Sequence, residues 1–152
     1  MASGEDTAPS VLVVDDDPDL VDLLSRFLSR QGMKTLVASS GPQCLKIMQS
    51  APAIDVIILD IMMPGMDGLQ VCAALKKMES ARSIPVILLT ARDDVTTRLA
   101  GVELGVSEFI VKPANGRDLV SRIKTQVEAN RKAQAMEQSL DSPSASKPVS
   151  KP

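Results

Sequence analysis

Histidine is absent from this chain of 152 residues, and so are tryptophan and tyrosine. The first absence removes the Ser-His-Asp triad, the Cys-His pair and every histidine metal site, so any chemistry must rest on carboxylates, hydroxyls and lysine. Two phenylalanines are the whole aromatic complement, and the net charge is −2. With neither stacking platforms nor a basic field, binding to nucleic acid is not expected. The two cysteines, Cys44 and Cys72, form no CxxC pair, and Met1–Ser10 contains no apolar run of signal-peptide length. Nothing points to secretion or disulfides, and the expected compartment is the cytosol. No apolar stretch approaches the ~20 residues needed to span a bilayer, so no membrane partner is expected either.

What remains is a chain of one-domain size with an ordinary hydrophobic share of 44%. Val11-Leu12-Val13-Val14 is wholly apolar and ends at acids, as a strand buried on both faces does. Asp17 then caps a helix with Pro18 in its first turn, Leu20, Leu24, Phe27 and Leu28 as its buried stripe, and Gly32 past its end. Lys34–Ala38 reads as a strand, residues 39–42 as a turn, and Gln43–Gln49 as a short helix presenting Cys44, Leu45 and Met48. Asp55–Leu59 is a strand delivering Asp60, followed by a helix from Leu69 to Met78. Pro85–Leu89 is a strand ending at Thr90, and the next helix runs from Asp94 to Leu104, closed by Gly105. Phe109–Val111 is the last strand, and Asn115 caps a helix from Gly116 to at least Val127. Five strands alternating with five helices predict an α/β fold, a parallel sheet covered on both faces, with ligands bound outside the carboxyl ends of its strands. Residues 1–9 are expected to be flexible, 10–129 to form the domain, and 130–152 to be an extension, helical at first, with Ser139–Pro152 disordered for want of apolar content.

That edge collects Asp15 and Asp16, then Asp60, Thr90 and Lys112 from four strands. Two carboxylates about 5 Å apart repel by roughly 3 kcal/mol at an effective dielectric near 20, so three require a cation or raise one another's pKa. A hard divalent ion answers this, and Mg²⁺ suits one or two carboxylates with a phosphate completing its shell, whereas no acidic loop of twelve residues is present for Ca²⁺. Each residue also has a plain structural reading. Asp15-Asp16-Asp17 reads equally as a solvated turn with a helix cap, Asp60 as a turn acid before Pro64, Asp67 and Gly68, Lys112 as a snorkelling surface lysine, and Thr90 as strand filler. Only Asp17 fits the cap well, and Pro113 after Lys112 fixes a turn, with a cis bond as one way of aiming the amine inward.

The acidic pair Asp15-Asp16, the run Asp60-x-x-Met63-Pro64-x-Met66-Asp67-Gly68, Thr90-Ala91 and Lys112-Pro113 occur in order, each after an apolar run. Over roughly Ser10–Ala129 the chain resembles the receiver domain of bacterial two-component response regulators of the single-domain, chemotaxis-regulator kind. The resemblance implies a flavodoxin-like doubly wound fold and Asp60 as phosphoacceptor. It implies Mg²⁺ held by Asp15, Asp16, Asp60 and the backbone carbonyl of Met62, with Thr90 and Lys112 on the phosphoryl oxygens. The donor would be a phosphohistidine on a sensor histidine kinase or phosphotransfer protein, and the output a contact with a downstream protein. The chain would then be no enzyme beyond accepting and slowly losing its own phosphate. It would be a monomer or a weak phosphorylation-dependent homodimer.

In the family the hydroxyl at Thr90 couples to an aromatic on the last strand, here Phe109, which has no hydroxyl and would signal by packing alone. Met62 and Arg92 are bulky enough to screen the acyl phosphate from water. Arg98, Arg117, Arg122 and Lys124 read as solvated helix surface, or else as a docking patch for an acidic partner or a second copy. The run Ile123, Val127, Asn130, Gln134 is too polar for a coiled coil.

Three other functional classes fit the residues less well. Asp15-x-Asp17 after a strand is similar to the haloacid dehalogenase phosphatases, yet Asp19 stands where Thr or Val belongs and no acidic pair follows Lys112. A flavin module needs a hydroxyl-rich loop where this chain has acids, and a pure interaction module has no need of the acidic pair.

Overall fold

Strands with no polar face must be covered on both sides, and in the computed structural model three such strands form the centre of one five-stranded parallel sheet between two helical layers, with the more exposed Lys34–Ala38 and the partly buried Glu108–Val111 at its edges. The structure describes residues 8–50, 53–91, 94–112 and 115–144. In chain order the elements are β1 (Ser10–Val14), α1 (Pro18–Arg30), β2 (Lys34–Ala38), α2 (Gly41–Gln49), β3 (Val56–Asp60), α3 (Gly68–Lys76), β4 (Val86–Thr90), α4 (Val95–Glu103), β5 (Glu108–Val111) and α5 (Gly116–Ser144).

The strands lie in the order β2-β1-β3-β4-β5. Chain direction across the sheet therefore reverses at β1, and the crevice of such a fold opens beside that reversal, between the carboxyl ends of β1 and β3. In register, Val14 pairs with Leu59, Asp60 with Leu89, and Thr90 with Val111. The residues just beyond or at these strand ends are thereby brought level along one edge.

Alternate residues of each strand face opposite layers. Leu12, Val14, Ile57, Leu59, Val86 and Leu88 pack with Cys44 and Met48 of α2 and with Val71, Cys72 and Leu75 of α3. Val11, Val13, Val56, Ile58, Ile87 and Leu89 pack instead with Leu28 of α1 and with Leu119, Val120, Ile123 and Val127 of α5.

Helix ends follow local chemistry. Asp17 accepts from the amides of Asp19 and Leu20, with Pro18 in the first turn, and Gly32 at φ +85° lets the chain leave α1 where a side chain would be strained. Some boundaries differ from those expected. Gly41 and Pro42 form the first turn of α2, because Ser40 accepts from the Gln43 amide and caps it. Asp67 and Gln70 make a reciprocal capping box, so α3 starts at Gly68, and it ends at Lys76, short of Met78. On α1, Val21 packs on the core with Leu24 and Phe27 where Leu20 was expected to. The last helix continues to Ser144, into the stretch from Ser139 that its composition marked as disordered. The expected disorder of residues 145–152 lies outside the described residues, as does the expected flexibility of residues 1–7.

Candidate functional site

Asp15 follows β1 directly and is 3% exposed; Asp60 ends β3 and is also 3% exposed; Thr90 ends β4 and is fully buried. Asp16 is exposed beside them. Lys112 follows β5, its backbone amide donating to the Thr90 carbonyl at 2.7 Å. Its Nζ lies 3.1 Å from Asp15 Oδ2 and 3.1 Å from Asp60 Oδ1. The sheet thus brings the Asp15, Asp16, Asp60 and Lys112 side chains together, with Thr90 ending the strand between Asp60 and Lys112.

The two buried carboxylates are not equivalent. Asp15 has both oxygens engaged, Oδ1 accepting from the Asp17 amide at 3.0 Å and Oδ2 from Lys112 at 3.1 Å. Asp60 Oδ1 is buried and accepts no hydrogen bond, its contact with Lys112 being an ion pair by distance without hydrogen-bond alignment. Burial raises the Asp60 pKa above the usual carboxylate value, and the nearby charge of Asp15 raises it further; Lys112 and the Met62 amide pull the other way without cancelling the rise. For Lys112, burial alone would lower the pKa, but the contacts with Asp60 and Asp15 outweigh it and hold the amine charged above its ordinary value.

One carboxylate oxygen each from Asp15, Asp16 and Asp60 lies within 4.8 Å of the others. Three acidic oxygens at this spacing, two of them on buried residues, fit a hard divalent cation and its waters.

Close approach of backbones fixes where Asp60 sits. A Cβ on Gly68 would collide with the Asp60 carbonyl and come within 2.7 Å of Ile61 Cα. The Gly68 amide donates to the Ile61 carbonyl at 2.9 Å. The start of α3 is therefore pressed onto the end of β3, which only glycine permits. The Met62 side chain is 52% exposed over this loop. Arg92 and Pro113, expected to screen the site and to set the Lys112 turn, lie outside the described residues.

Phe109 pairs in register with Leu88, two residues before Thr90, so it shares that face of the sheet with Thr90. It is half-buried, packed against the core, with the Arg98 guanidinium 4.7 Å over its ring. Arg98 is thus more than the solvated cation expected. Arg122 also has partners, donating to Glu108 at 2.6 Å and Asp118 at 2.9 Å, while Gln126 donates to Glu108 at 3.0 Å. Arg117 and Lys124 are exposed, as expected of solvated surface.

The sequence reading overlooked a second staple. Asp55 Oδ2 accepts from the Ser10 amide at 2.8 Å and from Arg131 at 3.1 Å, tying β1, the approach to β3 and the far part of α5 together. These partners are 45 and 76 residues away in sequence, beyond any local spacing rule. The Asp67–Gln70 box, by contrast, had a readable signature in its D-x-x-Q spacing.

An open parallel sheet of this strand order, with acids at its reversal point and a hydroxyl and an amine on the neighbouring strands, is the architecture of a receiver-type signalling domain. The model of the response regulator receiver domain matches residues 11–124. The chain belongs to the response regulator receiver family of two-component systems. It is 39% identical over 115 residues to the sensory transduction protein RegX3 of Mycobacterium tuberculosis, covering 76% of this chain and 49% of that one. It is 40% identical over 114 residues to the transcriptional regulatory protein CpxR of Escherichia coli, covering 75% of this chain and 47% of that one. The chain thus spans about half the length of these relatives. Among solved structures, the signal receiver domain of a histidine kinase from Syntrophus aciditrophicus superposes with a TM-score of 0.73 at 34% identity, over 80% of this chain and 92% of that one. Among the described residues no helix is long and apolar enough to cross a membrane.

Proposed function

We propose that Asp60 accepts a phosphoryl group from a phosphohistidine on a sensor kinase or phosphotransfer protein, and that the modified chain then contacts a downstream protein. The observation that carries this reading is the meeting at the strand ends of one oxygen each from Asp15, Asp16 and Asp60 within 4.8 Å, with the Lys112 ammonium 3.1 Å from Asp60 Oδ1. A carboxylate at this position can act as the nucleophile once Lys112 transfers its contact to the incoming phosphoryl group. The new bond joins the carboxylate oxygen to phosphorus as the P–N bond of the donor breaks, and the departing imidazole keeps the electron pair and takes up a proton.

Asp15, Asp16 and Asp60, with the Met62 carbonyl, would hold Mg²⁺. When bound, the ion neutralises charge spreading over the phosphoryl oxygens. Lys112, already between the two buried carboxylates, shifts its hydrogen bonds onto one phosphoryl oxygen, and the Thr90 hydroxyl turns to another. A phosphoryl group adds about −1.5 to −2 charge and gathers one to three charge-assisted hydrogen bonds of about 1.5–3 kcal/mol each. Moving a two-state surface from 1:99 to 99:1 takes about 5.5 kcal/mol, within that reach. Movement of Thr90 opens room on the sheet face it shares with Phe109, whose ring follows inward and remodels the surface of α4, β5 and α5. The chain turns over no free substrate; it accepts its own phosphate and slowly loses it, working in the cytosol as a monomer or a weak dimer formed on phosphorylation.

Incubation with acetyl phosphate and Mg²⁺, followed by intact mass, tests the reading. Wild type gains one phosphate that maps to Asp60, and Asp60→Asn gains none. A wild-type chain that stays unmodified, or a phosphate mapped elsewhere, overturns it.

A further inference from the structure

Phe27 and Phe109 are the only aromatic residues of the sequence, and they lie in different halves of the core. Phe27 packs on the side of α1 and α5. Phe109 packs on the other side, where its ring meets two residues of α4 that stand three apart and so share one face of that helix.

The first of these is Gly101, which is buried. A Cβ added to it would come 3.7 Å from Phe109 Cδ2 and 3.3 Å from both Leu88 Cδ1 and Val106 Cγ2. Glycine weakens a helix interior, and at this point its missing side chain leaves uncrowded the wall on which the ring rests. The second is Arg98, whose guanidinium stands 4.7 Å over the ring. A guanidinium within about 6 Å of a ring centroid is attracted to the negative face of the ring, and a planar cation can stack there.

This attraction has a direction. Arg98 is exposed, whereas Thr90 is fully buried at the end of β4. A ring that follows Thr90 inward leaves the guanidinium behind, so the contact belongs to the resting arrangement alone.

We propose that Arg98 is a positioning residue for the switch: with Gly101 as the floor, its guanidinium holds Phe109 in the half-buried place and sets how much of the resting population is poised to accept phosphate. The inference rests on the inward movement of Phe109 proposed above. By linkage, whatever multiplies the small fraction of chains with the ring already inward multiplies the apparent affinity for a phosphoryl group by the same factor.

Having two phenylalanines makes the ring visible. The full chain grown with 4-fluorophenylalanine carries two fluorine labels, and Phe109→Leu identifies the resonance of position 109. Arg98→Met keeps a long side chain of similar helix propensity and removes the charge. In the untreated chain, Arg98→Met should move the Phe109 resonance toward the position that wild type takes with Mg²⁺ and beryllofluoride, a phosphoryl mimic. Apparent affinity for beryllofluoride should rise about three- to fivefold. Loss of a surface cation would by itself weaken the binding of an anion, so the expected gain has the opposite sign from a general charge effect. Arg98→Lys, which retains a cation, should stay within about twofold of wild type. In a Phe109→Leu background the gain from Arg98→Met should vanish.

A Phe109 resonance unmoved by Arg98→Met in the untreated chain overturns the proposal. So does an equal gain in both backgrounds, or a wild-type resonance that stays put when beryllofluoride binds. The untreated spectrum needs no phosphoryl chemistry, and intact mass after acetyl phosphate reads Asp60 separately, so failure of the Arg98 contact and failure of phosphorylation are told apart.

Discussion

Asp60 is held at a disadvantage in the free protein, and this can be measured. Its pKa is raised by burial and by Asp15, so the folded chain binds a proton there more readily than the unfolded chain does. The stability it withholds therefore grows as pH rises from the unfolded value of 3.8 through the higher folded one. In metal-free buffer at pH 7, Asp60→Asn should be more stable than wild type by roughly 1 kcal/mol in urea melts, with the gain gone below about pH 3. Lys112 has the opposite sign: its contribution is complete below the ordinary lysine value and fades only as pH rises through its raised one. Because this ammonium competes for the same oxygens, Lys112→Gln should bind Mg²⁺ several-fold tighter by calorimetry while costing about 1–2 kcal/mol of stability. Met62, half-exposed over the site, should slow hydrolysis of the acyl phosphate. A half-life of seconds in Mg²⁺ buffer, or no shortening in Met62→Gly, would count against that. Residues of this kind were readable from the chain because each chemical group sits at the end of an apolar run. The difference between Asp15 and Asp60 was not readable, since it comes from hydrogen bonds set by the fold.

At the scale of elements, the close packing of α3 on β3 is the tightest constraint on the site. Gly68→Ala would press a methyl into the Asp60 carbonyl and Ile61 Cα, both backbone, so the strand end must move. The expected loss is about 1–3 kcal/mol, together with slower phosphorylation from acetyl phosphate. A variant unchanged in both would mean that the loop yields without cost. The order of elements and most of their ends were legible, because buried parallel strands are short apolar runs and caps such as Asp17 and Asn115 act locally. Boundaries were missed where a cap lay ahead of the expected start, Ser40 three residues before Gln43 and Asp67 two before Leu69. The length of α5 was missed because composition says little about a helix held by a distant ion pair. Asp55→Ala should release Arg131 and the Ser10 amide together, and hydrogen exchange should speed up in α5 beyond Val127 while its buried half stays protected.

For the whole molecule, ligand linkage joins the acids to global stability. Mg²⁺ at about a hundred times its dissociation constant should stabilise the chain by about 2.7 kcal/mol, and Asp15→Ala should abolish most of that increment. The Asp55 staple adds a consequence of its own. Asp60 lies at one rim of the sheet, and Arg131 is fastened at the other, beyond the depth of a five-residue strand, about 16 Å. Ionic screening at physiological salt fades charge effects over about 8 Å, so the added negative charge is almost unfelt where α5 leaves the body. Whatever that helix reports must reach it as a shift of packed side chains along its buried length, and raising the salt concentration should leave the message intact.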